Sequence, residues 1–274
     1  MTDIASKILI FGCGNMGGAI LRGWIAGGFE SSRFFVVDPL TNELSNGVSL
    51  HRTAAEVAQT FDTILLGIKP QMIGELAPQI APLLAPGALL ISILAGTTTA
   101  TLSNHFPGSR IVRLMPNLAA AIGKSPLGLW SSDLDEDGRG KLDGLLAPLG
   151  TPVWLTNEDQ MNAVTALAGS GPAFVYRFID SLAAGGAKLG LTPENAAKLA
   201  LATVEGAALL ASVSDKAPAE LAARVTSPGG TTAAGLAVLD DERALANLIE
   251  ATLRAASERG AELAQPMDGK KPWI

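Results

Sequence analysis

The chain has 274 residues, a formal charge of −6 at pH 7 and a pI near 5.0. That length holds two compact domains, and the negative field makes phosphate backbones and anionic lipid surfaces poor partners, which sets aside nucleic acid and membrane in favour of a small molecule. Cys13 is the only cysteine, so an intrachain disulfide and a cysteine-based metal cluster are excluded, and a reducing, cytoplasmic setting is expected.

The chain opens MTDIASKILIFG, where the apolar run is short and soon broken by glycine, so no targeting signal is expected. From there, runs rich in Val, Ile and Leu alternate with helical periods. Residues 7–11, 33–37, 63–68, 89–93 and 110–114 read as strands buried on both faces of a parallel sheet. Residues 16–26, 54–60, 72–84 and 98–105 read as the helices between them, and a further strand, helix and strand over 127–130, 133–149 and 153–155 closes the sheet at one edge. The span from Leu76 to Phe106 carries no charged side chain, but Pro78, Pro82, Pro86 and Gly87 cut it into pieces too short for a bilayer. Alternation of this kind predicts an α/β fold, a Rossmann-type doubly wound sheet over residues 1–155.

After Leu155 strand periodicity stops, and residues 156–265 read as an all-α domain. Thr156, with Asp159 three residues on, reads as its opening cap. Breaks fall at Gly169-Ser170-Gly171-Pro172, at Gly190-Leu191-Thr192-Pro193, where Thr192 caps and Pro193 takes the first helical turn, and at TSPGGTTAAG, residues 226–235. Between Met161 and Ser214 only Arg177, Asp180, Lys188, Glu194, Lys198 and Glu205 are charged, too few to give several helices polar outer faces. These helices need a further surface to cover them, which points to a homodimer or larger assembly built through this domain; the alternative cover is the chain's own first domain. The tail, 266–274, has the Pro, Gly and Lys of a loose terminus.

Residues 8–18, ILIFGCGNMGG, put Gly12, Gly14 and Gly17 directly after a strand and at the head of a helix. Gly12 allows the tight turn, Gly14 lets the backbone approach a pyrophosphate, and Gly17 lets the helix sit close on the sheet, while the helix start through Asn15 and Met16 offers unpaired N–H groups to the anion. Asp38 ends the next strand, where a carboxylate accepts hydrogen bonds from an adenosine ribose. A carboxylate there also repels a 2′-phosphate, and Pro39, Leu40, Thr41 and Asn42 supply no cation, so on this ground NADH is favoured. Cys13 reads as a small buried residue, not a redox thiol. His51 and His105 have no acid beside them in sequence and read as packing or surface residues, which leaves a Ser-His-Asp or His-metal mechanism without support.

Taken together, GCGNMGGAI (12–20), IKP (68–70), SILAG (92–96), VRLMPN (112–117), LAGSGPAFVYRFIDSLAAGGAKLGL (167–191) and TSPGGTTAAG (226–235) resemble the pyrroline-5-carboxylate reductases, in that family's order along most of the chain. The resemblance implies reduction of a five-membered cyclic imine carboxylate by NADPH or NADH, a Rossmann domain, and a helical dimerisation domain, often in a ring of dimers. The chain departs from the family pattern at Leu118-Ala119, where Thr-Pro is usual, and at Asp215, usually Glu. Most members favour NADPH, against the preference that Asp38 suggests. Related two-domain reductases are the rival reading. A β-hydroxyacid dehydrogenase would show a catalytic lysine in its helical domain, and Lys188 and Lys198 lack the surrounding motif.

Such a reaction needs the substrate carboxylate held, the ring laid against the nicotinamide and the nitrogen steadied as it becomes an amine; strong acids and bases are optional. Ser227-Pro228-Gly229-Gly230, ahead of a helix beginning near Thr231, offers backbone N–H groups at a positive helix end to a carboxylate. By resemblance, Thr232 supplies the key hydroxyl, to the ring nitrogen or the carboxylate. Lys69 and Pro70 follow a buried strand at the carboxyl edge of the sheet and are expected near the nicotinamide half, and Asn117, after its own strand, near the nicotinamide ribose. Ser170 and Gly171 are weaker candidates, and Tyr176 reads as a core or interface residue. No metal site is expected.

Overall fold

A computed structural model describes residues 7–264; the opening residues and the 266–274 tail lie outside the described part. The chain divides into two compact units, residues 7–169 with 256–264, and Ser170–Ala255.

The first unit is built on an eight-stranded sheet. Its strands are β1 (Ile8–Phe11), β2 (Phe34–Val37), β3 (Ser49–His51), β4 (Phe61–Leu66), β5 (Leu84–Ser92), β6 (Arg110–Met115), β7 (Ser125–Trp130) and β8 (Gly150–Trp154), in the spatial order 3-2-1-4-5-6-7-8. All neighbours pair in parallel except β6 and β7, which are antiparallel. The order 3-2-1-4-5-6 is that of a doubly wound dinucleotide-binding sheet. Central strands such as β1 are buried along their whole length, because helices cover both faces. Two apolar clusters result, one around Trp24, Phe34, Leu89 and Leu142, the other around Phe61, Ile64, Leu90 and Phe106.

The covering helices are α1 (Asn15–Ala26), α2 (Ile73–Ile80), α3 (Thr99–His105) and α4 (Glu136–Leu146). On α1, Trp24 stacks on Phe34 at 5.4 Å and donates its indole N–H to the Leu145 carbonyl at 2.8 Å. The 72–84 segment holds a helix only over Ile73–Ile80, flanked by 3₁₀ turns carrying Pro70 and Pro82. The helix expected over 54–60 is a single 3₁₀ turn, Ala54–Glu56, since the chain must extend again to enter β4 at Phe61. Asp135 caps α4 by accepting the Gly138 N–H at 2.9 Å.

Beyond β8, Asn157 and not Thr156 is the capping residue: Asn157 Oδ1 accepts the Gln160 N–H at 3.2 Å, while Thr156 Oγ1 donates to the Gln160 side chain. A short helix, α5 (Met161–Val164), passes into a π-helical turn, Thr165–Gly169. These residues are tied to the sheet by Glu158, which accepts hydrogen bonds from the Thr99 N–H and hydroxyl, each 2.7 Å, and from buried Arg113 on β6 at 2.8 Å. Burial alone would raise the Glu158 carboxyl; Thr99 and Arg113 outweigh it and hold it below the usual range.

The second unit contains α6 (Gly171–Lys188), α7 (Pro193–Val213), α8 (Pro218–Arg224), α9 (Thr231–Asp240) and the first part of α10 (Ala244–Ala264). As the sequence indicates, Thr192 caps α7 and Pro193 opens it. Only two side chains along these helices are buried, Ala196 and Ala200, while Leu189, Leu201, Leu210, Val213 and Leu248 are exposed on the single chain. Among the described residues one helix, α7, is long and apolar enough to cross a membrane by length and composition.

Candidate coenzyme and substrate site

The carboxyl ends of β1, β4, β5 and β6 bring the glycine loop, Lys69-Pro70, the SILAG segment and Asn117 to one edge of the sheet. Parallel pairing continues past the strands, since Gly12 N–H donates to the Val37 carbonyl and Gly67 N–H to that of Phe11. Gly12 lies at φ +92°, and a Cβ there would sit 2.7 Å from the Gly67 oxygen; a Cβ on Gly17 would sit 2.4 Å from the Gly12 oxygen. These two glycines are therefore required by the loop's own shape. Gly14 differs: a Cβ there would meet nothing within 4 Å. It begins α1 without a side-chain cap, and the N–H groups of Asn15 and Met16 find no protein partner among the described residues. Open space at Gly14 above a bare helix start fits a pyrophosphate.

Asp38 stands where the ribose-binding acid is expected, but its carboxylate is already engaged. Oδ2 accepts from the Cys13 N–H at 2.7 Å, and Oδ1 from the N–H groups of Leu40 and Thr41, both at 2.8 Å; the residue is 8% exposed. Burial would raise this carboxyl, yet the three amides prevail and hold it below the usual carboxylate range. Three of about four acceptor directions are thus filled by the protein, which limits Asp38 as a partner for ribose hydroxyls. The Cys13 thiol, inside the same turn, is pushed up to about 11, first by burial and then by the Asp38 charge, so it is no thiolate nucleophile.

Lys69 is exposed at the end of the β4 extension, and its carbonyl accepts from Met72 in the 3₁₀ turn that Pro70 opens. The Asn117 side chain is engaged within the protein. It is buried, its Nδ2 donates to the Ala168 carbonyl at 3.0 Å, and its Oδ1 accepts the Ala119 N–H at 2.9 Å, capping the 3₁₀ turn Leu118–Ile122. The second of these bonds depends on the departure at Leu118-Ala119, because a proline at 119 would have no N–H to give. His51 stacks on Phe35 and His105 lies against Phe106, as packing residues do.

The 226–235 segment forms a turn and then α9. Gly229 lies at φ +72°, and the Gly230 N–H donates to the Ser227 carbonyl at 3.0 Å, so that amide is occupied internally. Gly230 instead contributes absence of bulk, since a Cβ there would come within 2.5 Å of Ser227 Oγ. Helix α9 has no side-chain cap, and the N–H groups of Thr231, Thr232 and Ala233 have no partner among the described residues. The Thr231 and Thr232 side chains are exposed on the single chain, as is Tyr176 on α6. Ser170 precedes α6 without capping it through its hydroxyl.

A sheet in doubly wound order with an open glycine cradle, followed by an apolar helical unit, defines a dinucleotide-binding protein of the Rossmann class. Residues 158–263 match the family model for pyrroline-5-carboxylate reductase dimerisation, and residues 7–96 match that for NADP oxidoreductases, coenzyme F420-dependent. The chain is 35% identical over 268 residues to a pyrroline-5-carboxylate reductase of Pseudomonas aeruginosa, covering 95% of this chain and 98% of the relative. A solved pyrroline-5-carboxylate reductase from Coxiella burnetii superposes with a TM-score of 0.88 at 32% identity, covering 96% of this chain and all of that one. The Plasmodium falciparum enzyme, solved with NADP bound, gives 0.82 at 27% identity over 97% of this chain and all of that one. The chain belongs to the pyrroline-5-carboxylate reductase family.

Proposed function

We propose that this chain reduces 1-pyrroline-5-carboxylate to L-proline with hydride from NADPH or NADH, the last step of proline biosynthesis. The observation that carries the reading is the uncapped start of α9, with three amides behind Gly229-Gly230 that have no partner among the described residues, in a chain that matches a pyrroline-5-carboxylate reductase over nearly its full length. When bound, the reduced nicotinamide supplies a hydride to the carbon of the protonated C=N bond, leaving the electron pair on nitrogen as an amine. The chain's own residues bind and orient. Gly12, Gly14 and Gly17, with the Asn15 and Met16 amides, cradle the pyrophosphate, and Lys69 and Pro70 flank the nicotinamide half.

At the substrate, the amides of Thr231, Thr232 and Ala233 offer a positive helix end to the carboxylate, with Ser227, Gly229 and Gly230 shaping the approach. Thr232 gives its hydroxyl to the ring nitrogen or the carboxylate. In this reading residues 1–155 carry the coenzyme, and residues 156–265 carry the substrate loop and the surface for self-association, as dimers or a ring of dimers. The enzyme works in the cytoplasm, without nucleic acid or membrane. Loss of NADPH and NADH absorbance, followed side by side with 1-pyrroline-5-carboxylate as substrate, tests it: oxidation of either coenzyme with proline as product is expected, and binding without oxidation would refute the reaction.

A further inference from the structure

Past β2, the fold delivers a cation that chain order conceals. Strands β2 and β3 run parallel with Val37 opposite His51, so the residue after β3 arrives beside the residue after β2. That residue is Arg52, fourteen positions from Asp38. Its Nη1 donates to the Asp38 carbonyl at 3.3 Å and to the Thr41 carbonyl, which lays the guanidinium along the Asp38–Thr41 turn. Thr41 in turn donates its hydroxyl to the Cys13 carbonyl at 3.2 Å, binding the turn to the glycine loop. The backbone N–H of Arg52 donates to Glu56 Oε2 at 2.9 Å, which fixes where the side chain leaves the strand.

Two features of this corner act together. The Asp38 carboxylate faces inward onto three amides, whereas Arg52 is exposed. The Arg52 Nε and Nη2 donors have no protein partner among the described residues. A guanidinium with free donors on one edge suits bidentate recognition of a phosphate, and the corner beyond the second strand of a dinucleotide fold is where a 2′-phosphate is read. The other charges nearby are Glu56, held by the Arg52 amide and the Thr53 hydroxyl, exposed Glu43, and Arg22 on α1, whose Nη1 lies against Gly18.

We propose that Arg52 recognises the 2′-phosphate of NADPH and, more than Asp38, sets the balance between the two coenzymes. The proposal rests on the coenzyme half of the reading above and not on the imine. It is tested by equilibrium titration of the whole purified protein with NADPH and with NADH, in the absence of imine, read by coenzyme fluorescence. Arg52→Gln is expected to raise the NADPH Kd about ten- to a hundredfold, the size of a lost charge-assisted pair, with the NADH Kd within about twofold of wild type. Arg22→Gln is the comparison and leaves the ratio unchanged. Equal losses for both coenzymes would mean that Arg52 only shapes the turn, and would overturn the proposal, as would no change or a shift of the effect to Arg22. Should Arg52→Gln melt at a lower temperature, Arg52→Lys decides: a weaker NADPH affinity at constant NADH affinity supports the assignment, and an unaltered ratio overturns it. A protein that binds both coenzymes but oxidises neither with the imine refutes the reaction and leaves this result standing.

Discussion

Replacing Gly14 by alanine separates a glycine kept for a ligand from one kept for the fold. At Gly14 the backbone is at φ −66°, ψ −155°, open to any L-residue, and a methyl group there touches nothing within 4 Å. As a helix cap, alanine is worse than glycine by about 0.5–1 kcal/mol, and its smaller unfolded-state entropy returns about 0.4–1 kcal/mol. Gly14→Ala is therefore expected to change unfolding free energy by less than about 0.5 kcal/mol. If a pyrophosphate lies against this backbone, the same methyl takes its space, and coenzyme affinity falls by about tenfold or more, ~1.4 kcal/mol. Gly12→Ala has the opposite profile. The φ of +92° costs about 1–2 kcal/mol for an L side chain, and the new Cβ overlaps the Gly67 backbone at 2.7 Å, which the Gly67-to-Phe11 hydrogen bond holds in place. A loss of about 3 kcal/mol or more follows. Urea titration supplies the stabilities and NADPH fluorescence titration the affinities. A stable Gly14→Ala protein that binds NADPH as tightly as wild type would refute the assignment of this loop.

Thr232→Val is expected to lower kcat/KM about ten- to a hundredfold, with coenzyme affinity unchanged; unaltered turnover in steady-state assays would remove Thr232 from the site. Glu158→Gln breaks the pair with buried Arg113 and is expected to cost about 2–3 kcal/mol by urea titration, below the range for fully buried pairs because Glu158 is partly exposed. Because the Glu158 carboxyl is more acidic folded than unfolded, its contribution is present above the ordinary glutamate pKa, about 4.3, and lost as pH falls through the lower folded value. Stability should thus fall less steeply with acid in the Gln variant than in wild type, and parallel pH profiles would refute the assignment. Diluting the protein a hundredfold should lower its thermal midpoint if self-association stabilises the helical unit; a midpoint independent of concentration would refute that.

The sequence reveals most of the sheet because its central strands are apolar on both faces. It hides β3, since Ser49-Leu50-His51 forms a half-buried edge with no hydrophobic period. The glycine loop is legible because its constraints are local: Gly12 and Gly17 answer to atoms of the same strand-turn-helix unit and its neighbouring strand. Arg52 is not, because only the parallel pairing of β2 with β3 brings it to the Asp38 turn. Asp38 and Asn117 show the converse difficulty. Position after a strand points each of them toward a ligand, and each also bonds backbone groups, at Cys13 and Leu40 in one case and at Ala119 and Ala168 in the other. The importance of Glu158 is likewise invisible in one dimension, since its partners lie 45 and 59 residues away.

Ala196 and Ala200 are the only fully buried side chains of Ser170–Ala255 on the single chain. If the helical unit self-associates as proposed, then for a polypeptide leaving the ribosome finding a mate is a late step of folding itself, and its rate rises with how much of the protein has already been made. A lesion on those bare leucines would be felt as scarcity of finished enzyme before it was felt as a slower reaction.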